Sequence, residues 1–236
     1  MENQITNVTP FQNLPKHIAF ILDGNGRWAN KRGFIRTIGH ERGVKTLKNI
    51  TKLVKELNIP FMSVYAFSVE NWSRPKEEVD YLIDKAYHEF KHYESNLSKL
   101  DFNIRVVGEK TNLPLKVLEV ITKLNNSLFL ENRFTLMIAF NYSSQLEIVN
   151  AMNEMKRRKL AFTKENLEKC LYTYPAPPID LLIRTSGEKR LSNYMLYQAS
   201  YAELYFPKTL WPAFNKQELY KALTEYEKRN RRFGKI

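Results

Sequence analysis

Two short stretches of the chain concentrate the side chains that could bind phosphate groups. The first follows an apolar run at residues 18–22 and consists of Asp23, a glycine turn at residues 24–26, and Arg27 at the start of a predicted helix. Glycine lets backbone N–H groups approach an anion closely, and the start of a helix favours negative charge. Because a carboxylate repels a phosphate unless a divalent cation lies between them, Asp23 adds Mg2+ to the prediction.

The glycine turn has two other interpretations. Residues 24–29 match the G-x-G-x-x-A pattern of dinucleotide-binding proteins. That pattern expects an acid about 20 residues further on, whereas residues 44–48 read VKTLK inside a predicted helix. A purely structural turn would explain the glycines, but not the cations that follow them at Lys31, Arg32 and Arg36. Phosphate binding explains both features.

The second stretch follows another apolar run, at residues 179–183. Its guanidinium groups can form paired hydrogen bonds with phosphate oxygens, as those of the first stretch can. Two anion sites imply two substrates. The residues assigned to them are Arg27, Arg36 and His40 for the first site and Arg184, Arg190 and Ser192 for the second.

Alternating strands and helices must position these residues. The pattern predicts an α/β fold, with a single domain and a central, mostly parallel six-stranded sheet flanked by helices. In such a sheet, right-handed crossovers bring the carboxyl ends of the strands to one edge. We therefore expect Asp23, Asn71 and Glu203 to meet in one crevice. The predicted strands cover residues 18–22, 61–67, 104–107, 134–140, 179–183 and 202–206.

Composition limits the classes of protein that remain. The chain has 236 residues, 43% of them hydrophobic, and one cysteine, Cys170, which excludes a disulfide framework and fits a reducing cytoplasm. Residues 1–14 are predicted to be a flexible segment that is neither signal peptide nor anchor, and residues 15–236 the domain. The net charge of +12 suits phosphate esters or an anionic membrane surface. Nucleic acid is not expected, because no recognisable binding module occurs.

Several longer blocks of sequence are more informative than the short patterns above. The blocks are HIAFILDGNGRWA at 17–29, GH at 39–40, YAFSVENWSRP at 65–75, DLLIRTSGEKRLSNYMLYQ at 180–198, YAELYFPKTLWPAF at 201–214 and RRFG at 231–234. Together and in this order they resemble the cis-prenyltransferases, the family that includes bacterial undecaprenyl diphosphate synthase, and this is far more specific than any one short pattern.

The resemblance implies a homodimeric, cytoplasmic enzyme with peripheral contact to the membrane. Such an enzyme condenses an allylic diphosphate, usually farnesyl diphosphate, with successive isopentenyl diphosphates. The implied product is a long polyprenyl diphosphate, such as the undecaprenyl diphosphate from which the lipid carrier of cell-envelope glycan synthesis is made. The resemblance leaves open a synthase that stops at a shorter product. A non-catalytic partner subunit is disfavoured, because such subunits typically lose the acid and cations of the first site.

The resemblance also assigns roles to individual residues. Mg2+ would contact Asp23 and Glu203, and the proton would leave with help from Ser68 and Asn71. An amide is a poor base, so Asn71 is expected to position a group that takes the proton. The allylic site would comprise Gly24, Asn25, Gly26, Arg27, Trp28, Arg36, His40 and Arg74, with Trp72 and Glu78 placing the substrate; Arg184, Arg190 and Ser192 would bind isopentenyl diphosphate.

Two further expectations concern the surroundings of the site. The growing chain needs an apolar tunnel, expected between the sheet and the helices at 76–98 and 113–130, although their apolar stripes suit an ordinary core equally well. The family usually shows N-Y-G-G-R where this chain has NYSSQ at residues 141–145. Either that loop is less tight here, or the position tolerates change.

Overall fold

Six strands form one sheet in which every pairing is parallel, as the computed structural model of the chain shows for residues 10–229. Their order across the sheet is β3-β4-β2-β1-β5-β6. The predicted six-stranded α/β architecture is therefore confirmed. The strands are β1 (His17–Ile21), β2 (Phe61–Ser68), β3 (Asn103–Val107), β4 (Thr135–Tyr142), β5 (Leu181–Arg184) and β6 (Glu203–Tyr205).

Seven helices connect and cover the strands of the described chain, and several begin at a side chain that accepts a backbone N–H. Ser143, Thr163 and Asn215 cap α5, α6 and α7 in this way, which satisfies a donor that has no partner inside the helix. The helices are α1 (Asn25–Asn30), α2 (Arg36–Glu56), α3 (Lys76–Ser95), α4 (Leu115–Asn125), α5 (Ser144–Arg157), α6 (Lys164–Cys170) and α7 (Lys216–Glu227).

The sheet is buried on both faces, which explains why its strands read as continuous apolar runs. In β1, Ile18 and Phe20 join the larger core cluster, to which α2, α3, α4 and α7 contribute. Ala19 and Ile21 point to the opposite face and a smaller cluster. That second face is covered partly by the loop after β5, through buried residues such as Tyr194.

Strand order determines where a ligand can enter. The chain places β2 on one side of β1 and later returns to place β5 on the other side. In open α/β sheets, ligands bind outside the carboxyl ends of the strands where the direction of winding switches. Here that position lies beyond Ile21, between the ends of β2 and β5.

The segment before β1 is packed against α7 in its described part. Phe11 is almost fully buried and makes an edge-on contact with Tyr220, with ring centroids 5.2 Å apart. The backbone N–H groups of Gln12 and Asn13 donate to Glu227 Oε1 at 2.6 and 3.1 Å. These contacts tie residues 11–13 to α7. Residues 1–9 and the basic tail at 230–236 lie outside the described residues.

A buried imidazole at the amino end of β1 makes the stability of the fold depend on pH. His17 Nδ1 donates to the carbonyl of Pro177 at 2.7 Å, and its Nε2 accepts from Ser63 Oγ at 2.6 Å. This pairing uses the neutral imidazole. Burial lowers the pKa of His17 to about 4. Because the unfolded chain binds the proton more tightly, this contribution to stability is complete above pH 6.5 and is lost as the pH falls towards 4.

We expect the His17→Gln variant to show a weaker loss of stability in mild acid. Between pH 7 and pH 5, its free energy of unfolding should fall by about 2 kcal/mol less than that of the wild type. Urea denaturation at the two pH values measures this difference. His88→Gln, which changes an exposed imidazole on α3, serves as the control and should retain the wild-type loss. Equal losses in wild type and His17→Gln would contradict the prediction.

Candidate active site

A cavity of about 530 Å3 opens at the carboxyl ends of β1, β2 and β5. Both stretches singled out in the sequence reach it, and Asn71 and Arg74 reach it from the segment after β2. Its mouth is polar and its depth is apolar. The lining of the mouth comprises Asp23, Gly24, Asn25, Gly26, Arg27, Arg36, His40, Ser68, Asn71, Arg74, Arg184, Arg190 and Ser192. The charged residues Lys48, Lys85 and Glu89 also belong to the cavity lining.

The two stretches are joined by an ion pair between Asp23 and Arg184. Arg184 Nη2 donates to Asp23 Oδ2 at 2.9 Å, while Nη1 donates to Ser192 Oγ at 2.7 Å and to the carbonyl of Arg190 at 2.6 Å. The Arg184 side chain is only 5% exposed. Its Nε is buried and has no hydrogen-bond partner among the described residues. One buried guanidinium thus fixes the acid of the first stretch and the loop of the second.

Arg27 occupies the other oxygen of Asp23. Its Nη2 donates to Asp23 Oδ1 at 3.0 Å and to Ser186 Oγ at 2.5 Å, and Nη1 donates to Glu188 Oε1 at 3.1 Å. Burial alone would raise the pKa of Asp23, but Arg184 and Arg27 outweigh it and lower that pKa. Asp23 is therefore an ionised carboxylate with a cation on each oxygen, at the centre of the polar mouth.

The glycine turn allows close packing as well as access to the backbone. Gly24 has a φ of 109°, a conformation that residues with a side chain rarely adopt. A Cβ atom on Gly26 would lie 2.9 Å from Cζ of Arg36, so glycine lets that guanidinium lie across α1. A Cβ atom on Gly39 would lie 2.1 Å from the carbonyl oxygen of Asn25. The glycines therefore hold α1 against α2.

Glu78 gathers three of the groups that the sequence assigned to the allylic site. Its Oε1 accepts from Arg36 Nη2 and from Arg74 Nη1, both at 3.1 Å, and lies 3.8 Å from His40 Nε2. Burial raises the pKa of Glu78, but the two guanidinium groups outweigh it and lower that pKa. Glu78 does not line the cavity, but its negative charge positions Arg36, Arg74 and His40, which do.

His40 presents an unpaired nitrogen in this cluster. Burial, with the positive charges of Arg74 and Arg36, lowers its pKa to about 4 despite the opposing charge of Glu78. The imidazole is therefore neutral at pH 7. His40 Nε2 is buried without a hydrogen-bond partner among the described residues. Glu78 Oε1, at 3.8 Å, is beyond hydrogen-bond distance, so this nitrogen could pair with a ligand in the cavity.

The segment after β2 is built by reciprocal hydrogen bonds. Asn71 Oδ1 accepts from the backbone N–H of Ser68 at 3.1 Å, and the Ser68 side chain accepts from the backbone N–H of Asn71. Trp72 Nε1 donates to Asn141 Oδ1 at 2.7 Å and its ring packs on Phe67. Because the amide oxygen of Asn71 is already used, the contacts fit a positioning role. A catalytic role for Asn71 stays a prediction.

Within the NYSSQ segment, Asn141 takes a left-handed backbone conformation with a φ of 53°, whereas the two serines that stand in place of glycine do not. Ser143 has extended backbone angles and caps α5, and Ser144 is the first residue of that helix. Both hydroxyls accept hydrogen bonds from the loop after Ser192: Ser143 Oγ from Asn193 Nδ2 at 2.8 Å and Ser144 Oγ from the Leu196 N–H at 3.0 Å. Neither position needs glycine. Of the two explanations left open by the sequence, the contacts favour a position that tolerates change.

Four predicted site residues are not part of the described cavity lining: Trp28, Trp72, Glu78 and Glu203. Glu203 begins β6 and pairs with Leu181 at the amino end of β5, so the expectation that it lies at the carboxyl edge with Asp23 was wrong. It instead accepts from Arg229 Nη1 at 2.6 Å. Trp28 lies beneath the Arg32 guanidinium, 4.3 Å from the ring centroid. The register of a three-residue strand is too weakly specified by its pattern to have revealed the position of Glu203.

A metal ion at this site would have few protein ligands. Asp23 is the carboxylate at the centre of the polar mouth, and the described residues contain no group of three or more His, Cys, Asp or Glu side chains suited to a metal ion. Mg2+ commonly binds through one or two carboxylates together with substrate phosphates. An ionised, half-buried Asp23 fits that mode and does not fit a cage built from protein alone.

The apolar depth of the cavity lies between the sheet and α2 and α3. The described lining includes residues of the helix expected at 76–98 and none of the segment expected at 113–130, and a tunnel for the growing chain stays a prediction. The contribution of α2 was missed, because its apolar stripe has the spacing of an ordinary core helix. The apolar lining includes Val44, Leu47, Phe67, Leu82, Ala86, Phe90, Tyr93, Ile138 and Phe140.

Comparison with known proteins gives a consistent result. A family model described as "Putative undecaprenyl diphosphate synthase" matches residues 21–234. The chain is 45% identical to an isoprenyl transferase of Fusobacterium nucleatum, covering 95% of this chain and 98% of that protein. It is 43% identical to an isoprenyl transferase of Thermotoga maritima, covering 94% and 97%.

Solved structures agree in fold. Lavandulyl diphosphate synthase from Lavandula x intermedia, in complex with dimethylallyl diphosphate, has a TM-score of 0.84 at 29% identity and covers 94% of this chain and 98% of its own. A probable undecaprenyl diphosphate synthase from Campylobacter jejuni has a TM-score of 0.79 at 33% identity, covering 94% and 100%.

The fold and the cavity are those of a prenyl-transferring enzyme. More specifically, the chain belongs to the undecaprenyl diphosphate synthase family of prenyltransferases. The resemblance stated from the sequence blocks is thereby confirmed.

We expect the pKa of His40 to report diphosphate binding. It should be about 4 in the free protein and should rise by about 1–3 units with inorganic diphosphate bound, because an adjacent anion favours the imidazolium. An NMR titration of the imidazole signals measures this, with His40→Asn to assign the resonance and sodium chloride at equal ionic strength as the control. A His40 signal that ignores diphosphate would contradict the prediction.

Proposed function

We propose that the protein is a cis-prenyltransferase that extends an allylic diphosphate, farnesyl diphosphate in the simplest case, with successive isopentenyl diphosphates. The observation that carries this proposal is the layout of the cavity, where cations on both sides of Asp23 lead directly into an apolar space between α2 and α3. A molecule with a charged head and a growing hydrocarbon tail fits that layout. The family relationship supplies the reaction class.

The two substrates are assigned to the two sides of Asp23. The allylic diphosphate lies against the glycine turn, where Arg36, Arg74 and the unpaired nitrogen of His40 can contact its oxygens. The isopentenyl diphosphate lies against Arg190 and Ser192, beside Arg184. Guanidinium groups suit diphosphate oxygens because they donate in pairs. The dimethylallyl diphosphate bound to lavandulyl diphosphate synthase supports a diphosphate substrate.

The chemistry follows from this arrangement. The bond between the allylic carbon and its diphosphate oxygen breaks, and inorganic diphosphate leaves with the electron pair. The double bond of isopentenyl diphosphate then forms the new carbon–carbon bond, and a proton leaves to restore a double bond. Arginine side chains stabilise the negative charge that develops on the leaving group. Ser68 and Asn71, fixed by their reciprocal hydrogen bonds, position the group that accepts the proton.

Mg2+ is the proposed cofactor, with Asp23 as its ligand in this cavity. When bound together with diphosphate, Mg2+ supplies further neutralisation of the leaving group. Each oxygen of Asp23 accepts one hydrogen bond, from Arg184 or from Arg27, and each keeps a further lone pair that could contact the metal. Glu203 lies apart from Asp23 within one chain, so the proposed metal site in this cavity uses Asp23 and not Glu203.

A homodimer is proposed as the working form. The outer face of α5 carries three exposed apolar side chains at intervals of one turn: Leu146, Val149 and Met152 are 40%, 52% and 49% exposed. A stripe of this kind is typical of a surface that a second protein covers. A second copy of the chain is the occupant that the family resemblance implies.

Peripheral contact with an anionic membrane, from the cytoplasmic side, is also proposed. No helix of the described part of the chain has the length and hydrophobicity needed to cross a bilayer. The segment from the end of α1 into the first turn of α2 exposes Phe34, Ile35 and Ile38 beside the cations Lys31 and Arg32. Apolar side chains next to cations suit the surface of an anionic bilayer. The prenyl product would reach the membrane from this side.

The central test is elongation by the purified protein. Incubation with farnesyl diphosphate, labelled isopentenyl diphosphate and Mg2+ should give longer prenyl diphosphates, and the absence of any elongated product would overturn the proposed function. Asp23→Asn should lower kcat by about 100- to 1,000-fold, the size of effect seen when one charge-stabilising group is lost. Asp80→Asn, on the exposed side of α3, is the control. Near-normal turnover of Asp23→Asn would remove Asp23 from the metal role.

The assignment of Arg190 to isopentenyl diphosphate has its own test. Arg190 is 61% exposed and pairs with Glu188, so its loss should not disturb the fold. Arg190→Ala should raise KM for isopentenyl diphosphate by about tenfold to a hundredfold, the value of a charged hydrogen bond. KM for farnesyl diphosphate should change little. The control is Lys189→Ala, which removes the neighbouring exposed cation. An equal rise in both KM values would contradict the assignment.

A further inference from the structure

Three charged side chains line the apolar end of the cavity. Lys48 on α2 and Lys85 and Glu89 on α3 are part of the same lining as Leu47 and Ala86. Lys48 Nζ lies 2.8 Å from Glu89 Oε2, and Lys85 Nζ lies 3.4 Å from Glu89 Oε1. We call these three residues the charged bridge. Charges are unexpected in a cavity that suits a hydrocarbon tail, and the diphosphate chemistry does not use them.

The bridge spans the space between the two helices that form the cavity wall. At the polar mouth, α2 and α3 are joined through Glu78, which pairs with Arg36. At the other end they are joined by Lys48 and Glu89. Glu89 follows Glu78 by eleven positions on α3, which is about 16 Å along the helix at a rise of about 1.5 Å per residue. The apolar slot between these two ion pairs therefore has a definite length.

Apolar space continues past the bridge. Phe90 and Tyr93 also line the cavity, and Tyr93 lies one helical turn beyond Glu89. A hydrocarbon that grew from the mouth would reach the bridge before it reached Tyr93. The growing hydrocarbon would therefore contact the charged bridge before it reached the end of the apolar lining.

The bridge is charged at neutral pH. Burial raises the pKa of Glu89, but the ammonium groups of Lys48 and Lys85 outweigh it and lower that pKa. Glu89 is 21% exposed, whereas Lys48 is 45% exposed and keeps contact with water. An exposed ion pair contributes little to stability. A hydrocarbon chain that passed between the partners would nevertheless remove water from both charges and separate them, which is unfavourable.

We propose that the charged bridge limits the length of the prenyl product. Chain growth proceeds along the slot between α2 and α3 and stops when the hydrocarbon end meets Lys48, Lys85 and Glu89. This inference rests on the proposed function of the same cavity, and it assigns to three residues a role in product specificity rather than in catalysis.

The test compares product lengths by mass spectrometry for matched variants. The uncharged variant Lys48→Met, Lys85→Met, Glu89→Leu keeps the approximate size of each side chain and should give products longer than wild type by one or more isoprene units. The charge-swapped variant Lys48→Glu, Lys85→Glu, Glu89→Lys restores an ionic bridge of opposite polarity and should keep the wild-type length. Lys52→Met with Glu56→Leu, an exposed pair on the same helix, should also keep it.

The outcomes separate this proposal from the proposed function. If wild type elongates farnesyl diphosphate but the uncharged variant gives unchanged or shorter products, the bridge proposal is overturned and the enzyme assignment stands. Longer products from the charge-swapped variant would overturn it as well, since charge would not be the cause. If wild type does not elongate, the proposed function itself fails. Glu89→Gln, which removes only one charge, gives a milder variant whose products should shift in the same direction if the uncharged protein does not fold.

Discussion

The polar half of the cavity depends on one buried guanidinium. Arg184 is the last residue of β5, and its side chain is almost fully buried. Its guanidinium forms an ion pair with Asp23, which follows β1. The same side chain holds Ser192 and the carbonyl of Arg190. A buried cation without its anion is strongly unfavourable, so the acid and the loop after β5 support each other. The two stretches thus form one cluster, in which contacts within the protein already position the charges.

This arrangement gives Asp23 two functions that compete. Its carboxylate compensates Arg184 and Arg27, and the same oxygens would contact a metal ion brought by a diphosphate. Arg27 is the more exposed of the two guanidinium groups, at 45% against 5% for Arg184. Arg27 is therefore the partner that can leave Asp23 at the lower cost and turn to a phosphate oxygen. The exchange keeps Arg184 paired throughout.

Sequence reasoning succeeded where the local pattern determines the structure. Long apolar runs identified the strands buried on both faces, and the crossover rule brought Asp23 and Asn71 to one edge. It failed for Glu203, because a short strand carries too little pattern to define its register. It also missed the contribution of α2 to the apolar cavity. The sequence of an apolar stripe is the same whether the helix face packs against other side chains or lines a cavity. Only the three-dimensional packing of α2 and α3 shows which of the two applies.

Close packing of α1 on α2 has a mechanical consequence. Gly39 and Gly43 allow Asn25 to lie directly against α2, where a Cβ atom at either position would lie within 2.5 Å of an Asn25 oxygen. Trp211 adds a hydrogen bond from its indole nitrogen to the Gly43 carbonyl at 2.9 Å. The turn at residues 24–26 and the wall that carries Val44 and Leu47 must therefore move as one rigid body. Any outward displacement of α2 would therefore also displace the glycine turn beside Asp23, which couples the depth of the cavity to its mouth.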